Sequence, residues 1–257
     1  IAPLFYNSVK DLDNNLIPTD KGKILKKTSN ATLFHNLKAL RQLKEISKKL
    51  NQEDVPFVVL KGLALAENIY PHLGLRPMTD LDLLISQKNY QNLKSVVSKI
   101  GYREYLKYYS LQFTKQVESG ISFVHDEKVP LDIHWRPIKA IYSRDNEDDS
   151  FLETAIVNKI DSSKVLILAP ENQLLYLCFH FASHGYNNLM WLLDLPKVLN
   201  HHERNLNWEL LVERAKKMKI NRETRKALNM VNETFEPSVP RFVIDELSEN
   251  RRKQFTG

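Results

Sequence analysis

The sequence predicts an α+β fold in which strands and helices share the first half and helices fill the second. Three observations predict it. Apolar residues at steps of three and four between Asn30 and Leu50 mark an amphipathic helix. From Phe57 to Trp135, short apolar or alternating runs separated by turn residues read as strands with helices among them. Beyond Pro170 the helical period returns and persists, with proline well placed at the first helical position.

Taken in order, Leu4, Phe5, Val9 and Leu12 are spaced for one face of a helical segment within residues 1 to 18. In the next helix the apolar positions are Leu33, Leu37, Leu40, Leu43, Ile46 and Leu50, with Ser29 or Asn30 as its cap. Phe57 to Leu60 form an apolar run ending at Lys61-Gly62, and Leu63 to Tyr70 continue as a helix. A turn-rich stretch, Pro71 to Pro77, precedes the alternating strand Asp80 to Ile85. Ser86 then caps a helix from Gln87 to Ile100, which Gly101 ends in a left-handed conformation. Short strands follow at Tyr102 to Tyr108, Gln112 to Glu118, Ile121 to His125 and Val129 to Trp135. The acidic run Asp145 to Asp149 reads as a solvated helix start and marks a boundary between residues 1–145 and 146–257. After a short strand, Val165 to Leu168, helices cover Pro170 to Phe181, Leu189 to Leu199, Trp208 to Met218 and Arg222 to Phe235, with a last helical piece beyond Pro240.

With 257 residues, 42% of them hydrophobic and 26% charged, the chain suits one or two globular domains. It opens at Ile1, as a fragment or trimmed chain would. No apolar run approaches the ~18 residues that span a bilayer, and no signal peptide is visible. Membrane is therefore not an expected partner. A single cysteine, Cys178, excludes an internal disulfide and fits a cytoplasmic protein. The net charge is +6, but Lys44, Lys48, Lys49, Lys94 and Lys99 read as solvated helix faces. Without an aromatic-and-basic motif, nucleic acid is not implied. Only seven glycines occur, and neither a Walker-type loop nor a dinucleotide fingerprint is present.

The chemistry concentrates in two strands. Strand alternation puts Asp80 and Asp82 on one face, with Leu81, Leu83 and Ile85 on the other. Paired carboxylates repel, so a fold keeps them together when a cation lies between them. Hard oxygen ligands suit Mg²⁺, which commonly binds one or two carboxylates plus substrate phosphates. Asp11 and Asp13 share the spacing but lack an apolar strand, and read as a solvated turn. In Val129 to Trp135, Asp132, His134 and Arg136 take one face while Leu131, Ile133 and Trp135 take the other. Asp132 is thus placed to complete a metal site, with its oxygens on the order of 5 Å from those of Asp82 given Mg²⁺–O distances near ~2.1 Å.

These blocks resemble a known family. Lys61-Gly62 at a helix start, Arg76 ahead of Asp80-x-Asp82, and then Asp132-x-His134-Trp135 are similar to the nucleotidyltransferase superfamily with the polymerase-β-type fold. The set resembles most closely the bacterial uncharacterised nucleotidyltransferases, and LLYLCFHFASHG followed by WLLDL is similar to their second motif block. The resemblance covers roughly Phe57 to Trp208. It implies a mixed sheet with flanking helices and three metal-binding carboxylates, Asp80, Asp82 and Asp132. It also implies Mg²⁺, with two ions, and a nucleoside triphosphate as donor. Lys61, Gly62 and Arg76 would serve the phosphates, Gly62 by allowing close backbone approach. Many superfamily members have Gly-Ser where this chain has Lys61-Gly62-Leu63, so the serine hydroxyl contact is absent.

The implied activity is transfer of a nucleoside monophosphate to a hydroxyl of a small molecule or protein. Two alternatives stand beside it. His180 and His184 are four apart on one helix face and, with His134, make a candidate zinc site for a hydrolase. Helix packing or contact with the bound substrate is the stronger reading of the pair, with Asp194 as a hydrogen-bond partner for one of them. The other alternative is a nucleotide-binding module without catalysis. If the carboxylates form a metal site, Asp82→Asn should abolish transfer and leave the fold intact, because it relieves repulsion.

Overall fold

Residues 1–12, 17–106, 111, 118–138, 148–236 and 239–248 are described by the computed structural model. Helix α1 (Ala2–Val9) precedes α2 (Thr19–Gln52), which is 34 residues long. Helix α2 begins well before the expected cap at Ser29 or Asn30. The lysine-rich stretch before Asn30 has no apolar period to betray it, yet lysine is a good helix former, and Pro18 stands as the N-cap.

The buried face of α2 also differs from the apolar count. Leu43, Ile46 and Leu50 are fully buried as expected, whereas Leu33 and Leu37 are exposed. In their place the helix buries Asn36, Ala39 and Gln42. The polar pair is there for hydrogen bonds. Asn36 Nδ2 donates to the carbonyls of Leu73 and Arg76 at 2.7 and 2.8 Å. Gln42 Oε1 accepts from the Val129 amide at 2.9 Å, and its Nε2 donates to the Tyr102 hydroxyl.

Among the described residues the sheet has seven strands: β1 (Val58–Val59), β2 (Leu81–Leu84), β3 (Arg103–Tyr105), β4 (Gly120–Val124), β5 (Leu131–His134), β6 (Ile156–Ile160) and β7 (Ser163–Ile167). Their order across the sheet is β3-β4-β5-β2-β1-β7-β6. The sheet is mixed, as the family resemblance implies: β2 pairs β5 and β1 pairs β7 in parallel, while the other neighbours are antiparallel. Helix α3 (Lys61–Asn68) follows β1, and α4 (Tyr90–Ser98) follows β2. Gly101, at φ +90°, ends that turn in the left-handed region where glycine is unstrained. The core beneath α2 and α4 joins Leu43, Ile46, Leu63, Leu83, Phe123, Ile133 and Trp135. The expected strand Gln112 to Glu118 lies almost wholly outside the described residues.

Two compact units emerge, one containing the described residues up to Leu168 and the other those from Ala169 onward. The hairpin β6–β7 belongs to the first unit, so the sheet extends past the expected boundary at 145. Strand β6 is an edge strand that exposes Ile156, Val157 and Lys159, so it lacks the alternation by which sequence marks a half-buried strand. A short helix, α5 (Asp148–Glu153), precedes it. The second unit is helical: α6 (Pro170–Ser183), α7 (Leu189–His202), α8 (Trp208–Lys217), α9 (Asn221–Thr234) and α10 (Arg241–Ser248). Cys178 is fully buried in α6, where burial pushes its thiol pKa up.

These burial assignments differ testably from the apolar count. Gln42→Ala should cost about 1–3 kcal/mol in chemical denaturation, since it strands the buried Val129 amide. Leu37→Ala, on the exposed face, should stay within about 0.5 kcal/mol of wild type.

Candidate active site

The site grows from the register of two strands. In the parallel pairing of β2 with β5, Asp82 stands opposite Asp132, and Leu83 opposite Ile133. Leu131 and Ile133 are fully buried and Trp135 nearly so, which leaves Asp132 and His134 on the other face with Asp82. Asp80 lies two residues before Asp82 and shares its side. The structure therefore brings Asp80, Asp82 and Asp132 together, with a carboxylate oxygen from each within 4.8 Å of the others. Among the described residues this is the one group of three or more histidine, cysteine or acidic side chains close enough to hold a metal ion. Three hard oxygen donors converging at that spacing fit a Mg²⁺-type cation.

Helix α3 is built against the same point. The Leu60 amide donates to the Asp82 carbonyl at 3.0 Å, which fixes the helix start beside β2. Gly62 packs closely there: a Cβ would meet Met78 Sδ at 3.2 Å, which would have to give by a few tenths of an ångström, and the Asp80 carbonyl at 3.6 Å. Arg76 is only 3% exposed, and its Nη1 donates to the Gly62 carbonyl at 3.3 Å. Its own carbonyl is held by Asn36. Asn36, Arg76 and Gly62 thus form a chain of bonds from α2 to the helix start, a bracing role that reading Arg76 as a phosphate contact did not anticipate.

Lys61 follows Leu60 directly, and its Nζ lies 2.8 Å from both Asp82 oxygens. His134 adds Nε2 at 3.0 Å from Asp82 Oδ1. Asp82 is 1% exposed, so its charge is stable only because of these partners. Burial opposes ionisation, but Lys61 and His134 overcome it and hold the Asp82 carboxyl well below the usual carboxylate range. Asp80 responds in the opposite sense. Burial first, then the neighbouring Asp82 charge, push it up to about 6, against the pull of Lys61.

The other candidate histidines, His180 and His184, lie in the second unit. The rings of His180 and His184 are 4.8 Å apart between centroids, and Trp191 packs against both at 4.4 and 4.6 Å. Asp194 is fully buried in α7. Among the described residues, no group of three or more metal-ligating side chains includes either histidine.

A mixed sheet that gathers three carboxylates on adjoining strands beside a helix start defines a nucleotidyltransferase-type fold. The antibiotic-resistance factor ANT(2'')-Ia has the same fold: its solution structure matches at 10% identity with a TM-score of 0.50, covering 77% of this chain and 98% of that one. Its crystal structure in complex with adenylyl-2''-tobramycin matches at 12% identity with a TM-score of 0.51, covering 70% of this chain and 97% of that one. Comparison with curated proteins finds none that matches the sequence. Residues 1–236 match the family described as uncharacterised nucleotidyltransferase, and the chain belongs to that family. No helix among the described residues is long and apolar enough to cross a membrane.

The environments of Asp80 and Asp82 predict opposite responses to neutralisation. Asp82→Asn should destabilise the fold by about 3 kcal/mol, because it leaves the largely buried Lys61 cation without its carboxylate. This revises the expectation that the substitution leaves the fold untouched. Asp80→Asn should instead stabilise by about 1–3 kcal/mol at pH 7.5. The sign follows from proton linkage. Between the unfolded carboxyl pKa of about 4 and the folded value of about 6, the folded protein binds more protons, so stability falls as pH rises through that window. Urea titrations at pH 4.5 and 7.5 check both, and a stabilised Asp82→Asn would contradict the ion-pair account.

Proposed function

We propose that the first unit transfers a nucleoside monophosphate from a nucleoside triphosphate to a hydroxyl of a small molecule or protein. Asp80, Asp82 and Asp132 would hold Mg²⁺, as two ions in this reading. The observation that carries this reading is the convergence of the three carboxylates within 4.8 Å on paired strand positions. When bound, the metal would supply charge neutralisation and polarisation at the phosphates.

The chain's own residues supply the rest. Asp82, held ionised, is a permanent anchor of the cluster. Asp132, on the neighbouring strand, is the carboxylate we assign to the acceptor. Its oxygen would take the hydroxyl proton as the acceptor oxygen bonds to the α-phosphorus and the bond to the bridging oxygen breaks, releasing pyrophosphate. The first turn of α3 has no side-chain cap, so its amides suit an anion, and Lys61 at that turn suits the triphosphate. Gly62 would let those phosphates approach the backbone. The adenylylated tobramycin held by ANT(2'')-Ia exemplifies a small-molecule product on this fold. We place the protein in the cytoplasm, where ATP and Mg²⁺ are abundant. His134 is assigned to orienting Asp82.

The test is transfer from each α-³²P-labelled nucleoside triphosphate, with MgCl₂, across a panel of hydroxylated small molecules and proteins. Wild type should label an acceptor and release pyrophosphate, and EDTA should stop the reaction. Asp132→Asn should lower kcat by about 10²–10⁴-fold, the usual worth of a positioned base. A variant that keeps the wild-type rate would remove Asp132 from the reaction.

A further inference from the structure

We propose that Lys61 is a built-in counter-cation that a divalent metal must displace from Asp82, so that metal and nucleotide enter the site together. The inference rests on the carboxylate triad being the metal site. It goes beyond that reading by giving Lys61 a role before nucleotide arrives.

The geometry points to it in three ways. First, the ammonium contacts both Asp82 oxygens at 2.8 Å, which is the side of a carboxylate that a bound cation also uses. His134 takes a further direction on Oδ1 at 3.0 Å. An ion binding those oxygens at Mg²⁺–O distances near ~2.1 Å would stand close to the ammonium, and two cations at such range repel. Second, the pair is buried, at 12% side-chain exposure for Lys61 and 1% for Asp82, so water screens it little. With the Asp80 and Asp132 carboxylates within 4.8 Å, the ammonium is the charge that makes the cluster tolerable. Third, the backbone at Lys61 is pinned by the Leu60 amide on the Asp82 carbonyl, so the helix start cannot retreat. The moving part is the lysine's flexible four-carbon stem.

That arrangement makes bare metal a poor ligand. It must separate a buried ion pair and leave the ammonium without an anion. A metal carried with a triphosphate brings replacement oxygens to the same helix start, so the released ammonium is paired again at once. Metal and nucleotide then bind with positive coupling, and coupling of this kind is reciprocal.

The experiment measures Mn²⁺ alone, by electron paramagnetic resonance of the free ion, on wild type, Lys61→Met and Lys61→Arg. Without nucleotide, Lys61→Met should bind Mn²⁺ roughly tenfold tighter or more, because the competing charge is gone, while Lys61→Arg should show no tightening. Adding α,β-methylene-ATP should tighten Mn²⁺ binding in wild type far more than in Lys61→Met. A second measurement uses only wild type, in case the methionine variant does not fold. Trace acetylation read by mass spectrometry should show Lys61 becoming more reactive as Mn²⁺ saturates the site. Equal or weaker Mn²⁺ binding by Lys61→Met, or unchanged Lys61 reactivity, overturns the displacement. Mn²⁺ bound by both proteins with no difference overturns this inference alone, whereas no binding by either overturns the metal reading as well.

Discussion

The parallel register of β2 against β5 is the constraint on which the site depends. It sets Asp82 across from Asp132 and, by the same step, sends Leu131, Ile133 and Trp135 into the core. A slip of one residue would reverse every side chain, burying Asp132 and His134 and exposing the apolar three. At roughly 25 cal/mol per Å² of apolar area, that exchange costs several kcal/mol. The core thus enforces the chemistry, because the carboxylates cannot drift apart unless the hydrophobic layer is also undone.

Helix α2 provides a second hold on the same strands. Asn36 grips the turn that leads to Asp80, and Gln42 grips the chain entering β5 at Val129. Both are buried polar side chains satisfied by backbone, which makes them directional where leucine would be merely adhesive. One rigid helix therefore sets the entry of both carboxylate-bearing strands. Arg76 passes this hold on to α3 through the Gly62 carbonyl.

Much of this was legible in the sequence because it rests on local periodicity. The faces of Asp80 to Ile85 and Val129 to Trp135 follow from alternation alone, and the left-handed Gly101 from its position after a helix. What alternation could not convey was which long-range partner each polar residue finds. Lys61 was read as a phosphate ligand, and its pairing with Asp82, 21 positions away, became visible only once β1 lay beside β2. Arg76 likewise reads from sequence as a phosphate contact, whereas its burial sets it against the Gly62 carbonyl. Leu33 and Leu37 misled in the other direction, since helix spacing counts apolar residues without knowing that Asn36 and Gln42 have carbonyls and amides waiting for them. The edge strand β6 has apolar residues but exposes Ile156 and Val157, so its sequence lacks the alternation that marks a half-buried strand.

Strands β2 and β5 touch along their length although α4, β3 and β4 lie between them in the chain. Parallel neighbours cannot be joined by a tight turn, so their pairing requires closing a long loop before any contact rewards it. Contacts of this kind form slowly relative to local helices and hairpins. The hairpin of β4 with β5 can assemble early from near neighbours, but Asp132 meets Asp82 only when the sheet closes around β2. In a nascent or partly unfolded chain Asp132 therefore stands apart from Asp80 and Asp82. The three-carboxylate cluster exists only once β5 has docked on β2.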